Sequence, residues 1–576
     1  MMKYSVKKKI ISIFLFGILA FSFVCLFPLT ASADVEKFTV GDKESYVFYK
    51  DGYIENIYSN GRVVKYGEAS CIYIWISLMQ LKEKGAIKLE EPVSQIIPKD
   101  VYEEFHFNYD FTILDLMNQT AGFTQVYMDR TALEKESLKS LKETLIHTVP
   151  QQPYEPGSYV AYSDWGNTLA AYIVECASGQ SYPDYVKQNI LKPLEMNATS
   201  VSYDLSDVPA LSGVDNSENG VWNVFYPSDL AYGTIEDFYI LLTDLVNEHC
   251  TILSRESVQE MFTPTLQYRG TEIGRIAHGF PIYYDYENPV YGYRVYNSDS
   301  ALEFYITEDL SSYIIVATDN PANLDHFTNL PIEKYGQLKT DGNFTSTLGS
   351  MSGSYRKMSA VLRGKALFTS VLDTNTFVKY DEKTLTLTAR KNVPYMEQIS
   401  DYSFKLLGED VGFFYRTDDG FCVIEFPLID AVKTSRFGQV AKIALFIGYL
   451  TGGLYAAVIS ISAFFKFLGR IMQKGEKPKS KFRKYHLIQC GTMFVHVINF
   501  LMMALNILGG GSSSFVKATS FMFYIGTLIS FVYIMFFART GIRDKDATNG
   551  QRVAYYITTL YAILFIVFAF VFGLLF

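Results

Sequence analysis

Two short segments carry titratable or nucleophilic side chains at spacings that could support acyl-transfer or acid–base chemistry. They are Gly67-Glu-Ala-Ser-Cys-Ile-Tyr73 and Tyr162-Ser-Asp164. A serine acyl-transfer enzyme needs a nucleophile, a nearby base and an oxyanion hole. A Ser-x-x-Lys pair places the hydroxyl and the amine on one helical turn, but Tyr73 stands three residues after Ser70. The segment Gly67–Tyr73 therefore lacks this nucleophile–base pair.

Cys71, Glu68 and Asp164 could support other chemistry. A thiol can be a nucleophile, but a cysteine on a buried helix usually serves as a small apolar filler, and no histidine lies near Cys71. The two carboxyl groups could form an acid–base pair or a cation site, or remain simply solvated. If they face each other, like-charge repulsion raises the pKa of one of them. We predict neither a metal site nor a cofactor.

The elements that must position these residues lie within residues 36–335, where short strand-like runs alternate with amphipathic helices in an α+β pattern. Five stretches of this domain resemble, in order and spacing, the β-lactamase-related serine hydrolases. This family includes class C β-lactamases, penicillin-binding proteins such as D-alanyl-D-alanine carboxypeptidases, and related esterases. The stretches are residues 75–93, 110–123, 156–164, 190–199 and 233–238. The resemblance implies an antiparallel sheet flanked by helices.

The same resemblance implies which positions correspond to the catalytic motifs of the family. The serine and lysine of Ser-x-x-Lys fall on Glu68 and Cys71, and the motif Tyr-x-Asn falls on Tyr162 and Asp164. The third motif, Lys- or His-x-Gly, falls within residues 291–300, where Arg294 is the nearest candidate for a positive charge.

All three motifs are thus altered, and we predict no serine-hydrolase catalysis. Replacing Ser, Lys and Asn by Glu, Cys and Asp moves the local formal charge from about +1 to about −2. We expect the pocket, lined by Glu68, Cys71, Tyr162 and Asp164, to repel an anionic carboxylate group. His278 precedes Gly279 where the family has a strand, so we predict a structural role for it.

Residues 1–33 have the pattern of a secretory signal. Four lysines within the first nine residues precede an apolar stretch, and the small residues Ala31-Ser-Ala33 follow it. This order predicts export and cleavage after Ala33, with an uncleaved anchor as the alternative.

The region 443–576 contains four apolar segments, each about as long as a helix that crosses a bilayer. They are residues 443–465, 487–508, 519–537 and 554–576. The connection after the first segment is rich in lysine and arginine, which predicts a cytoplasmic location for it. We therefore predict a multi-pass protein of the cell membrane with its large amino-terminal domain outside.

The second apolar segment carries a stripe of polar side chains spaced for one helical face. The stripe consists of Gln489, Thr492, His496, Asn499 and Asn506. Polar groups in a membrane helix face protein or water rather than lipid. The stripe could line a polar path or bind a partner, but we favour interhelical hydrogen bonding.

Residues 340–436 connect the two regions. Short alternating runs separated by turn residues predict a small antiparallel sheet or barrel there. This part resembles the β-rich appendage found after the hydrolase domain in the family, and a simple spacer above the bilayer is the alternative.

These observations favour a non-catalytic, membrane-tethered binding or regulatory protein. The expected partners are the lipid bilayer and either cell-envelope material such as a cell-wall peptide or a partner membrane protein. A net charge of −9 without a basic patch outside the membrane flanks argues against nucleic acid. The alternatives are a hydrolase with a rebuilt site, and a transport or immunity component whose membrane bundle carries the function.

Overall fold

The computed structural model describes residues 44–575 except residues 60, 62, 218–219, 286–287, 298–299, 320–347, 380–383, 388–394, 399–402, 407–410, 417–421, 474–481 and 542. The predicted signal peptide, residues 1–33, lies outside the described residues, as do residues 340–347 and residues 474–481 of the basic connection after the first apolar segment.

An antiparallel sheet of eight strands organises the first part of the described chain. The strands of this part are β1 (Glu44–Lys50), β2 (Tyr53–Tyr58), β3 (Val63–Lys65), β4 (Thr131–Ala132), β5 (Trp222–Asn223), β6 (Tyr232–Thr234), β7 (Leu266–Gln267), β8 (Gly274–Ala277), β9 (Phe280–Asp285), β10 (Asn288–Tyr296), β11 (Ala301–Thr307) and β12 (Ser312–Thr318). The order in the sheet is β2-β1-β12-β11-β10-β9-β8-β7, and the pairs β3–β6 and β4–β5 form separate two-stranded ladders.

Ten α-helices accompany this sheet in the described residues. They are α1 (Cys71–Glu83), α2 (Val93–Ile96), α3 (Lys99–Glu104), α4 (Ile113–Met117), α5 (Leu141–His147), α6 (Asp164–Ser178), α7 (Tyr182–Val186), α8 (Tyr226–Asp229), α9 (Ile235–Val246) and α10 (Arg255–Met261). Short 3-10 turns lie at Gly67–Ser70, Lys135–Ser137 and Pro209–Leu211, and a π-turn at Lys187–Leu191.

Helix α1 is the central element of this domain. Its first eleven residues are all buried, which agrees with a sequence that is apolar on every side. Trp75 on α1 donates from Nε1 to the hydroxyl of Tyr293 on β10, at 2.8 Å, and Tyr293 in turn donates to the carbonyl of Gly279, at 2.6 Å. The helix and the sheet are therefore joined by hydrogen bonds as well as by apolar packing.

The turn between β8 and β9 explains His278. His278 and Gly279 both have positive φ, 44° and 95°. A two-residue hairpin loop of type I′ requires positive φ at both of its central residues. The His278 side chain is buried, and burial lowers the pKa of its imidazole. A structural role in the turn fits this position.

We expect Gly279→Ala to destabilise the domain more than Gly270→Ala. Both glycines have positive φ, but a Cβ at Gly279 would lie 2.5 Å from Trp75, whereas at Gly270 nothing lies within 4 Å. The difference isolates overpacking, which costs about 1–3 kcal/mol. Thermal and urea unfolding of the two variants measure it, and equal losses would contradict the packing of Trp75 described above.

The second part of the described chain is a closed barrel. Its strands are β13 (Gly353–Lys357), β14 (Thr374–Lys379), β15 (Thr384–Leu387), β16 (Tyr395–Gln398), β17 (Ser403–Leu406), β18 (Val411–Arg416), β19 (Cys422–Phe426) and β20 (Ile429–Thr434). Strand β13 pairs with both β14 and β20, which closes the barrel. Helix α11 (Leu348–Met351) precedes it, and a 3-10 turn, Leu367–Val371, follows β13.

Four long helices form the last part: α12 (Arg436–Gln473), α13 (Arg483–Leu508), α14 (Ser513–Phe536) and α15 (Asn549–Val571), with a π-turn at Phe537–Gly541. All four are long and apolar enough to cross a membrane. Both α12 and α14 pack against α13 and α15. The α+β fold and the four-helix region predicted from the sequence are confirmed.

The polar stripe of α13 makes hydrogen bonds to neighbouring helices. Gln489 donates to Ser530 Oγ on α14 at 2.8 Å, and Asn499 donates to the carbonyl of Thr519 on α14 at 3.0 Å. His496 Nδ1 lies 2.9 Å from the hydroxyl of Tyr449 on α12. These bonds support the favoured interhelical interpretation; Thr492 and Asn506, the other stripe residues, are partly buried.

Candidate functional site

The first segment of the site precedes α1 in a tight turn. Gly67 has φ of +54°, and a Cβ there would lie 2.3 Å from Val295 Cγ1 and 2.9 Å from Asn297 Oδ1. Only glycine fits so close to the end of β10. Ser70 is buried, and its hydroxyl accepts the backbone amide of Ala231 at 2.8 Å. That hydroxyl serves the packing of the turn.

Cys71 is fully buried in the first turn of α1. Its thiol donates to the carbonyl of Ser228 at 3.4 Å. Burial raises the pKa of this thiol well above its ordinary value, and the neighbouring carboxyl groups of Glu68 and Asp164 raise it further. Because the thiolate is the nucleophilic form, Cys71 remains an unreactive thiol at neutral pH.

The second segment ends an extended stretch and begins α6. Ser163 caps α6 by accepting the amide of Gly166 at 3.0 Å, so the residues on either side of it, Tyr162 and Asp164, are fixed at the start of the helix. Burial raises the pKa of the Tyr162 phenol, and the nearby carboxyl groups of Glu68 and Asp164 raise it further. The phenol therefore stays protonated.

Ser228 on α8 joins the two segments. Its hydroxyl donates to Asp164 Oδ1 at 2.9 Å, accepts from Asn167 Nδ2 at 3.1 Å, and lies 3.0 Å from the hydroxyl of Tyr162. Ser228 is fully buried, and these partners use the whole capacity of its hydroxyl. Ser228 carries no signal in the sequence, because it belongs to no recognisable motif and lies 64 positions from Asp164.

Glu68 is the most perturbed carboxyl group of the site. Burial first, and then the negative charges of Asp164 and Asp229, raise its pKa to about 8. The upward shift expected from like-charge repulsion is thus present, but loss of hydration is its larger cause. A large fraction of Glu68 carries a proton at neutral pH, so Glu68 can donate a hydrogen bond as well as accept one.

Two cations balance the acids of the site. Arg130 Nη2 lies 3.7 Å from Asp164 Oδ2, and Lys65 Nζ lies 3.5 Å from Asp229 Oδ2. Together with the protonation of Glu68, they bring the local charge close to neutral rather than to the strongly negative value expected from the motifs alone.

Arg294 does not lie with the other predicted residues, which corrects the expectation for the third motif. It pairs across β10 and β11 with Glu303, Nη2 to Oε1 at 3.0 Å. Side chains alternate along a strand, and Val295 faces Gly67, so Arg294 points to the opposite face of the sheet. The structure brings together four of the predicted residues: Glu68, Cys71, Tyr162 and Asp164. The positive charge beside them comes from Arg130 and not from Arg294.

The barrel forms one border of the site. Residues Ala161 and Ile429 form a β-bridge, and Tyr162 donates its amide to the carbonyl of Leu428 at 3.3 Å. Asp430 donates its amide to the carbonyl of Val160 at 2.8 Å. The turn between β19 and β20 thus extends the backbone that carries Tyr162, so the barrel is in direct contact with the site.

The sequence model of the family described as Beta-lactamase matches residues 73–330 of this chain. Residues 73–330 belong to the beta-lactamase family. The match begins two positions after Cys71, so the segment with Glu68 lies just ahead of it. The structure nevertheless places Glu68 in the turn just before α1 and Cys71 at the first position of α1, beside Tyr162 and Asp164, as the resemblance implies.

Curated relatives carry names from the penicillin-binding group. Similarity reaches 24% identity over 205 residues with a protein of Bacillus subtilis (strain 168) named as the penicillin-binding protein PbpX, covering 34% of this chain and 49% of the relative. Penicillin-binding protein 4* of the same organism is 31% identical over 131 residues, covering 22% and 28%. The chain thus spans about half the length, or less, of these relatives.

Among solved structures, the octameric penicillin-binding protein homologue from Pyrococcus abyssi superposes with a TM-score of 0.42 at 16% identity, covering 68% of this chain and 95% of that chain. The penicillin-binding protein from Bacillus halodurans superposes with a TM-score of 0.40 at 19% identity, covering 50% and 94%.

The donor set of the beta-lactamase domain bears on metal binding. Within the residues that the structure describes, no group of three or more His, Cys, Asp or Glu side chains is arranged to hold a metal ion. Glu68, Asp164 and Asp229 interact electrostatically, but Arg130 and Lys65 already compensate two of them.

Proposed function

We propose that this chain is a membrane-anchored member of the beta-lactamase family that binds a ligand outside the cell membrane without forming an acyl-enzyme. The single observation that carries the proposal is the pair of side chains where the family has its nucleophile and base. A carboxyl group with a raised pKa stands at Glu68, and a buried thiol that donates to a carbonyl stands at Cys71.

The nearby hydroxyl groups do not replace the missing nucleophile. Ser70 and Ser228 are both buried, and each is engaged in the hydrogen bonds described above. A nucleophile needs an adjacent base and access to the substrate. Neither serine combines the two, which argues against a rebuilt hydrolase site.

Three polar side chains at this position remain accessible, and we call this group, Glu68, Tyr162 and Asp164, the recess. Glu68, Tyr162 and Asp164 keep partial exposure, while the residues around them, such as Cys71 and Ser228, are buried. Partly exposed polar groups set in a buried frame are typical of ligand sites. We propose as ligand cell-envelope material such as a cell-wall peptide, or a segment of a partner membrane protein.

The spans and the contacts of the bundle support the proposed location. The turn between α13 and α14 touches the beta-lactamase domain, and Gly573, after α15, approaches Gly364 near the barrel. The turn between α13 and α14 and the end of α15 thus lie on the same side of the helix bundle as the beta-lactamase domain. With the basic connection after α12 in the cytoplasm, this side lies outside the cell membrane.

Covalent labelling of the purified full chain in nanodiscs tests the proposal. We expect no adduct with a fluorescent penicillin or a fluorophosphonate by intact-mass spectrometry, with an active penicillin-binding protein as the positive control. The double variant Glu68→Ser/Cys71→Lys is labelled in parallel. An adduct on that variant alone would show that these two side chains prevent acylation within an otherwise competent frame.

A stoichiometric adduct on the natural protein would overturn the proposal. Its attachment site would then identify the nucleophile. Saturable hydrolysis that is lost in Cys71→Ala or Glu68→Gln would instead establish the alternative of a rebuilt hydrolase.

A further inference from the structure

A short loop of the beta-lactamase domain lies between the recess and the membrane bundle. We call residues 127–131 the site loop, and residues 509–513, which connect α13 to α14, the membrane turn. The site loop contacts the membrane turn on one side and Asp164 on the other.

Backbone hydrogen bonds join the site loop to the membrane turn. Asp129 donates its amide to the carbonyl of Gly511 at 2.9 Å, and Arg130 donates its amide to the carbonyl of Gly510 at 3.0 Å. In the other direction, the amide of Ser513, at the start of α14, donates to Asp129 Oδ1 at 2.9 Å. This amide belongs to the first turn of a helix and has no partner within the helix, so the carboxylate caps α14 from another domain.

The side chain of Arg130 packs directly on the membrane turn. Gly510 has φ of +70°, and a Cβ there would lie 2.3 Å from Arg130 Cγ and 3.0 Å from Cδ. The aliphatic stem of Arg130 therefore rests on the bare Cα of Gly510. Any larger residue at this position would push the stem away.

The other end of the same side chain reaches the recess. Its guanidinium lies 3.7 Å from Asp164 Oδ2, and the other oxygen of Asp164 accepts from Ser228. The carbonyl of Arg130 accepts the amide of Val224 at 2.9 Å, which fixes the loop beside β5. One residue thus touches the membrane turn through its backbone and stem and the recess through its charge.

We propose that the site loop couples the recess to the membrane bundle, so that a change at Asp164 alters the packing of the membrane turn, and a change at the turn alters the recess. A ligand that competes for Asp164 or Arg130 would shift the guanidinium, and the stem and backbone of Arg130 convey this shift to Gly510 and Ser513. Coupling between two sites is reciprocal by thermodynamic necessity. The chain would then do two things: bind a ligand in the recess, and convey that binding to its membrane helices.

Hydrogen–deuterium exchange of the full chain in nanodiscs tests the coupling without a ligand. We expect Asp164→Asn to speed exchange of the amides of residues 129–131 and of Ser513 by roughly two- to fivefold, the range that loss of a partly exposed ion pair supports. The matched control is Asp207→Asn, which removes the exposed pair of Asp207 with Lys187. It should leave these amides unchanged.

The reverse direction uses Gly510→Ala, with Gly491→Ala as control because a Cβ at Gly491 meets nothing within 4 Å. We expect Gly510→Ala to speed exchange at the amide of Gly166 beside Asp164, and Gly491→Ala to leave it unchanged. Unchanged exchange at Ser513 in Asp164→Asn overturns the proposal, whether or not the site loop itself responds. The Asp164→Asn measurement remains decisive even if Gly510→Ala fails to fold, because asparagine has the same size as aspartate.

Discussion

Replacing Arg275 by methionine will lower the free energy of unfolding by about 3–5 kcal/mol, because it leaves buried carboxylates without their cation. Arg275 on β8 is almost fully buried, and its Nη2 donates to Asp430 Oδ1 at 2.6 Å. Its Nη1 lies 3.8 Å from Glu425 Oε1, and both acids belong to the barrel and are fully buried. Chemical unfolding followed by tryptophan fluorescence measures the loss.

The matched control is Arg269→Met. Arg269 pairs with the same Glu425, Nε to Oε1 at 3.3 Å, but its side chain is 28% exposed. We expect a loss of about 1 kcal/mol for this variant. Asp430→Asn should lower the free energy of unfolding less in the Arg275→Met variant than in the natural protein. In that variant the substitution removes a buried carboxylate that has already lost its partner Arg275. Equal losses for the two arginine variants would contradict the assignment of Arg275 as the link between sheet and barrel.

The link matters for the site because Asp430 has two roles. Its Oδ2 accepts the amide of Val160 at 2.9 Å, and its own amide donates to the carbonyl of Val160. Arg275 therefore fixes the barrel turn that holds the backbone leading to Tyr162. Loosening this ion pair should disturb the recess before the rest of the domain unfolds.

The second large effect concerns pH. The stability of the natural protein should fall as pH rises from 5 to 9, while Glu68→Gln should lack this decrease. The pKa of Glu68 is about 8 in the folded protein against an ordinary value of 4.5, so between these values the folded state holds a proton that the unfolded state has released. Unfolding then releases a proton, and rising pH favours it until Glu68 ionises in the folded state as well.

We expect Glu68→Gln to exceed the natural protein by about 2–4 kcal/mol at pH 9 and to approach it near pH 5. Thermal unfolding across this pH range measures the difference. The control is Glu103→Gln, which removes an exposed carboxylate paired with Lys99 and should follow the natural curve. Parallel curves for Glu68→Gln and the natural protein would exclude a half-buried, protonated carboxyl group in the recess.

The sequence predicted much of the frame because its signals are local. The continuous apolar run of α1 and the Tyr162-Ser-Asp164 segment before α6 are readable from neighbouring residues. The four long helices follow from hydropathy and length, with structural bounds that extend beyond several predicted segments. The polar stripe of α13 also follows from helical spacing.

The composition of the site was only partly predictable. The resemblance of the surrounding segments to the family identifies four of the site residues: Glu68, Cys71, Tyr162 and Asp164. Arg294 was assigned wrongly, since strand alternation decides the face and a shift of one residue reverses it. Ser228 and Arg130 carry no local signal; they reach Asp164 from parts of the chain 64 and 34 positions away.

The sequence by itself determined the α+β domain, the four apolar helices and the absence of a serine–lysine pair at positions 68 and 71, since periodicity, hydropathy and residue identity are properties of short segments. The tertiary structure decided the charge balance of the recess, the closure of the barrel against the Tyr162 backbone, and the contact of Arg130 with the membrane turn. Each of these three features depends on residues that are distant in the sequence and lie close together, away from water, in the fold. Such proximity sets pKa values, ion pairs and close approaches such as the one at Gly510, and it arises only when the chain has folded.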